Sequence, residues 1–138
     1  MPSLDLYSFD NPLKAFRFDL LKEPINLYEW LSHLSGGFSE PYTFGERMAI
    51  WGKENYKRFD VVHDNQTLAY GLIKLRDMGV PVVGTIHHPI TMDKRIDIKH
   101  AETLSLKLLK WRLYSFLKMN IKVARKLYPI IVLSENTI

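Results

Sequence analysis

Between Phe59 and Pro89 the chain repeats one arrangement of apolar and polar positions twice. Phe59-Asp60-Val61-Val62 leads into His63-Asp64-Asn65-Gln66, and Val80-Pro81-Val82-Val83-Gly84-Thr85-Ile86 leads into His87-His88-Pro89. Between them Leu68, Leu72 and Leu75 recur at helical spacing, with Ala69 and Ile73 beside them and Gly79 as a stop. The pattern predicts strands over 59–63 and 81–87 joined by a helix. A third apolar run, Ile130-Ile131-Val132-Leu133, predicts a strand over 130–133. Strands joined by crossover helices pair in parallel with right-handed connections. The three runs should therefore be neighbours in one sheet, with the histidines gathered at the carboxyl edge.

The flanking pattern is less regular. Residues 1–25 carry Pro2, Pro12 and Pro24 and read as an irregular lead-in, with a short edge strand at Leu4-Asp5-Leu6-Tyr7. Leu27, Trp30, Leu31 and Leu34 predict a helix over 26–35, stopped by Gly36-Gly37. After Pro41, Thr43-Phe44-Gly45-Glu46 fits a capping box opening a helix that runs to about Tyr56. Thr91 to His100 reads as a polar loop. One long helix is then expected from about Ala101 to Leu127, ended by Pro129 and buried on two sides. Lys107, Lys110, Lys118, Lys122 and Arg125 would fall within about a third of its circumference. Ser134 follows the last strand as a natural helix cap. The expected fold class is α/β: an incomplete Rossmann-like domain occupying all of 1–138, its short, mainly parallel sheet flanked by helices.

Composition narrows the chemistry. A chain of 138 residues, 46% hydrophobic and 25% charged, is long enough for one domain with a real core. With no cysteine, disulfide and thiolate chemistry are excluded. A net charge of +4 permits an anionic partner without demanding one. The longest uncharged stretch, 79–92, holds two prolines and two histidines and does not read as a membrane span. Met1-Pro2-Ser3-Leu4-Asp5-Leu6 has neither a basic region nor an apolar core of the kind found in signal peptides, so the cytoplasm is the expected compartment. No nucleic-acid signature is present: the chain has no zinc-knuckle spacing and no aromatic platform among its basic residues.

Ligands of open parallel sheets bind beyond the carboxyl ends of the strands. His63 and His87 are candidates for such an edge, although histidines there also serve as plain structural hydrogen-bonders. A metal site from His63, His87, His88 and Asp93 is chemically possible. However, adjacent strand residues face opposite ways, and no H-x-x-E-H or H-E-x-x-H pattern occurs, so no metal is expected.

These residues also carry a resemblance. The runs Phe59 to Gln66 and Pro81 to Thr91 with Asp93 and Arg95, then Trp111 with Tyr114-Ser115-Phe116, then Val132-Leu133-Ser134-Glu135, resemble the N-terminal half of family-4-type GT-B glycosyltransferases. Leu4-Asp5-Leu6-Tyr7, Gly36-Gly37-Phe38 and Glu40-Pro41-Tyr42-Thr43-Phe44-Gly45 resemble a subgroup of the same family. The resemblance implies the acceptor-side part of a retaining glycosyltransferase, acting on a nucleotide sugar and a glycan or lipid acceptor. It implies that His87 is catalytic and lies beside the sugar at the reaction centre. His63 and Asn65 would shape the acceptor side with Asp64 orienting them, and His88, Asp93, Ser134 and Glu135 would be further substrate contacts.

No cofactor is implied beyond the nucleotide-sugar co-substrate, which a second Rossmann-like domain would mainly hold. Family members also open with a strand and a glycine-rich loop. The sequence is therefore expected to be an internal piece of a larger enzyme, inactive alone. The basic helix face over 107–125 would permit peripheral contact with anionic lipid. The alternative is a non-catalytic module derived from such a domain, binding a glycan, a lipid or a partner.

Overall fold

The computed structural model describes residues 18–133 and, in the lead-in, Leu4, Leu6, Leu13 and Phe16. After a 3-10 turn at Phe18–Lys22 the elements are α1 (Pro24–Leu34), α2 (Glu40–Asn55), β1 (Val62–Asn65), α3 (Tyr70–Asp77), β2 (Val82–Ile86), α4 (Ile90–Lys99), α5 (Leu104–Leu113), α6 (Leu117–Ala124) and β3 (Ile130–Val132). The three strands form one parallel sheet in the order β1-β2-β3. The α/β class and the parallel pairing of the three apolar runs are thus as the sequence implied.

Alternation along the strands divides the sheet into two faces. Val62, Val82, Ile86 and Ile130 pack on a cluster formed by Leu68, Ala69, Leu72 and Leu75 with Met119, Val123 and Leu127. Helices α3 and α6 therefore cover that face. His63, Asn65, Val83, Thr85 and Ile131 occupy alternate positions and point to the other face. Gly79 ends α3 with a φ of +96°, a left-handed conformation that glycine adopts without penalty. Helix α2 crosses α3 at glycines: a Cβ on Gly71 would stand 1.9 Å from the carbonyl oxygen of Gly45. No other residue allows the two backbones to approach so closely.

Several expected boundaries are corrected. Strand β1 begins at Val62 rather than Phe59, because the ladder starts with Val62 N–H donating to Pro81 O at 2.9 Å. His63 therefore lies within β1 rather than at its end. Helix α2 begins at Glu40 with Pro41 in its first turn, so Thr43 is not a cap. Pro41 supplies a preset φ for the helix start. Thr43 is fully buried, and its hydroxyl donates to the carbonyls of Ser39 at 3.4 Å and Glu40 at 3.3 Å. Leu6 is buried and has 3-10 rather than strand backbone; Asp5 and Tyr7 lie outside the described residues.

The polar loop expected over 91–100 is helix α4, and the long helix over 101–127 is two helices. Thr103 caps α5 by accepting from Leu106 N–H at 3.2 Å. A 3-10 turn at Tyr114–Phe116 then separates α5 from α6. Burial on two sides does not hold for α5, which buries none of its residues; Leu104, Leu108 and Trp111 are 74%, 60% and 53% exposed. The turn also divides the basic face expected over 107–125. Within it Lys110 Nζ is already 3.3 Å from Asp97 on α4. Arg112 ties α5 to α1, donating to the hydroxyls of Ser32 at 3.1 Å and Ser35 at 2.8 Å. Among the described residues no helix is long and apolar enough to cross a membrane.

The junction of α4 with the end of α5 joins ionisable groups. Tyr114 Oη donates to Asp97 Oδ2 at 2.9 Å. That bond, and then the one from Lys110, hold the Asp97 carboxyl below its ordinary 3.8. Burial first, and Asp97 second, raise Tyr114 above its ordinary 10.0. A carboxyl with a lowered folded value stabilises the fold above its unfolded value and loses that contribution as pH falls through the folded one. Asp97→Asn should therefore melt below wild type at neutral pH. The two melting curves should converge as pH falls through the lowered folded value of Asp97, below which both side chains are uncharged. A constant gap across an acid titration would contradict this.

Candidate functional site

The open face of the sheet carries two equivalent cross-strand pairs. In the β1-β2 register His63 stands beside Val83, and Asn65 beside Thr85. Long side chains on one face also reach the partner residue two positions further on. His63 Nε2 accordingly meets Thr85 Oγ1 at 2.7 Å. One step along, His87 Nε2 hydrogen-bonds Asn65 Oδ1. The strand period of two thus generates a His-Thr pair and an Asn-His pair in line, running off the carboxyl edge of the sheet. With Asn65 presenting its oxygen, His87 donates from Nε2.

Thr85 is buried, whereas His63, Asn65 and His87 are exposed. The imidazole edges are therefore reachable by a hydroxyl-bearing ligand. Beside β1, Phe44, Gly45 and Met48 of α2 close a cavity of about 220 Å³ with His63, Asp64, Asn65 and Thr67. Ligand pockets usually measure roughly 300–1,000 Å³, so this one admits part of a ligand.

The loop after β1 is held in an unusual conformation. Gln66 and Leu68 have φ of +65° and +45°. Left-handed backbone at non-glycine residues costs about 1–2 kcal/mol each, and such residues persist only where their surroundings enforce them. Asp64, facing the core, supplies one constraint: its Oδ2 accepts from Leu68 N–H at 2.9 Å. Asn120 of α6 supplies another, donating from Nδ2 to the carbonyls of Thr67 at 2.9 Å and Leu68 at 3.2 Å. Asp64 thus shapes the loop that presents Asn65; its bond is to backbone rather than to an imidazole.

His88 forms a second, separate pair. Its Nε2 lies 3.1 Å from Asp93 Oδ2 in the first turn of α4, and both side chains are about half exposed. Arg95 is exposed on the same helix. Ser134 and Glu135 lie outside the described residues. Among the described residues no group of three or more metal-ligating side chains converges, so His63, His87, His88 and Asp93 do not form one centre. Thr85, Gln66 and Asn120 were not singled out from the sequence. Thr85 and Gln66 stood within the quoted strand-end runs without a role, and Asn120 left a trace as a polar residue at a core position between Leu117 and Val123.

No family model matches the chain. Over 135 residues, 98% of its length, it is 40% identical to a protein named MMP alpha-(1->4)-mannosyltransferase from Mycolicibacterium hassiacum. It spans 33% of that relative's length. Along nearly all of its extent, then, this chain is similar to about one third of a glycosyltransferase.

Proposed function

We propose that this chain is the acceptor-side part of a retaining glycosyltransferase. In this reading it contributes to moving mannose, as the relative's name describes for that protein, from a nucleotide-sugar donor to a glycan or lipid acceptor. The observation that carries the reading is the line of His63-Thr85 and Asn65-His87 pairs at the sheet's carboxyl edge, in a chain that matches a mannosyltransferase throughout. Sugar transfer develops positive charge on the ring and negative charge on the departing phosphate while an acceptor hydroxyl approaches the anomeric carbon. Catalysis then rests on placing the hydroxyl and on fixed dipoles at the developing charges.

Neutral imidazoles and a carboxamide meet those needs, since they donate and accept hydrogen bonds to hydroxyls without a large desolvation cost. His87 is the catalytic residue beside the sugar, with Asn65 fixing its ring. His63 lines the acceptor side, next to the cavity against α2. His88 and Asp93 are peripheral substrate contacts. The donor nucleotide is held mainly by a second domain of the full-length enzyme. Peripheral contact with anionic lipid through the basic residues of 107–125, which lie on α5 and α6 on either side of the turn at Tyr114–Phe116, is not needed for the reading.

The test is a chimera in which this chain replaces the third of the Mycolicibacterium hassiacum mannosyltransferase that it matches. The folded chimera should transfer radiolabelled mannose from a nucleotide-mannose donor. A folded chimera that binds acceptor but transfers no mannose would contradict the reading and favour a non-catalytic binding module.

A further inference from the structure

We infer that Gln66 is a positioning residue for His87, its side-chain amide standing in for the next residue of β1. Regular pairing of β1 with β2 ends at Asn65 beside Thr85. Pro89, two residues beyond His87, has no N–H to continue a ladder. The backbone of His87 and His88 is nevertheless paired. Gln66 Oε1 accepts from His87 N–H at 2.7 Å and, more weakly, from His88 N–H at 3.4 Å. Its Nε2 donates to His88 O at 2.8 Å. A primary amide presents the same donor and acceptor as a peptide group, so the side chain extends the ladder by one rung past the strand.

Two observations favour a positioning role over a chance contact. The φ of +65° at Gln66 suits glycine better than glutamine, and the reach of its amide to residues 87 and 88 offsets that strain. The held segment also carries the imidazole that meets Asn65. Asn65 and Gln66 are consecutive, one fixing the ring and the other the backbone beneath it. His87 is thus held at both ends by one turn of chain, itself anchored by Asp64 and Asn120.

The kinetic consequence rests on the proposed transferase reading, whereas the positioning does not. The test therefore has two arms. In the first, nitrogen-detected NMR of the histidine rings and hydrogen exchange of the His87 amide are measured on the 138-residue chain. Wild type should show His87 protonated at Nε2. Gln66→Gly removes the amide and relieves the left-handed backbone. It should mix the two ring tautomers and speed exchange of the His87 amide about tenfold or more. Gln66→Met keeps the volume without the amide and should do the same. Gln66→Glu keeps the acceptor for His87 N–H but sets a carboxylate oxygen against His88 O, and should recover only part of the protection. Unchanged ring signals and exchange in folded Gln66→Gly and Gln66→Met would overturn the inference. So would a lowered melting temperature with the His87 signature intact.

In the second arm, Gln66→Gly in the chimera should lower kcat about tenfold with little change in KM, as expected when a reacting group is misplaced rather than removed. Changed NMR signals with unchanged kcat would uphold the clamp and remove the transfer role of this edge. Unchanged signals with a sharp loss on His87→Ala would do the reverse.

Discussion

Replacing Arg47 by alanine is expected to cost about 3–5 kcal/mol, as when one partner of a buried ion pair is removed. Arg47 lies on α2 and its guanidinium hydrogen-bonds Glu29 of α1, with the two side chains only 13% and 6% exposed. The same nitrogen donates to Asn26 Oδ1 at 2.7 Å. Without Arg47 the Glu29 carboxylate would be left unpaired between the helices. Domains of this size are stable by roughly 5–15 kcal/mol in total, so the variant should lose a large share of its stability and melt well below wild type. Urea denaturation of wild type and Arg47→Ala measures the difference. Because an apolar pair of similar volume often replaces a buried ion pair at little cost, Arg47→Met with Glu29→Leu should recover much of the loss. A cost under about 1 kcal/mol for Arg47→Ala would place the pair among solvent-screened surface bridges instead.

What the sequence disclosed followed from periodicity. Val61-Val62, Val82-Val83 and Ile130-Ile131 are β-branched runs bounded by turn signals, and they became parallel strands in the expected order. Helix α3 was legible because Leu72 and Leu75 mark its buried face; Leu68, which shares their spacing in the sequence, packs from the loop before it. Helix α4 was not, since half of ITMDKRIDIK is charged and none of its residues is buried. The break at Tyr114–Phe116 has no glycine or proline to announce it. Contacts made across the fold accompany it instead: Tyr114 with Asp97, and Arg112 with Ser32 and Ser35.

The candidate site divides in the same way. His63 and His87 stood out as polar residues at the ends of apolar runs, and Asn65 entered through the family resemblance. Thr85 and Gln66 stood in the same runs without a role and Asn120 stood in none, because Thr85 and Gln66 reach across 21 or 22 residues and Asn120 across more than 50. A hydrogen bond at such separation leaves no local pattern. Asp64 entered the sequence reading as an orienting residue, and the structure assigns its carboxylate to the loop backbone.

His87→Ala in the active chimera tests the central claim, that this sheet edge performs sugar transfer. An imidazole that meets developing charge only in the transition state lowers kcat when removed and leaves KM largely in place. The loss of one preorganised donor corresponds to about two orders of magnitude in turnover. His88→Ala is the internal control, because that ring is engaged with Asp93 on α4 rather than with Asn65. The account predicts a roughly hundredfold fall in kcat for His87→Ala, a much smaller one for His88→Ala, and melting temperatures close to wild type for both. Turnover of folded His87→Ala equal to wild type, with only its melting temperature lowered, would contradict the account and leave His87 a structural hydrogen-bonder.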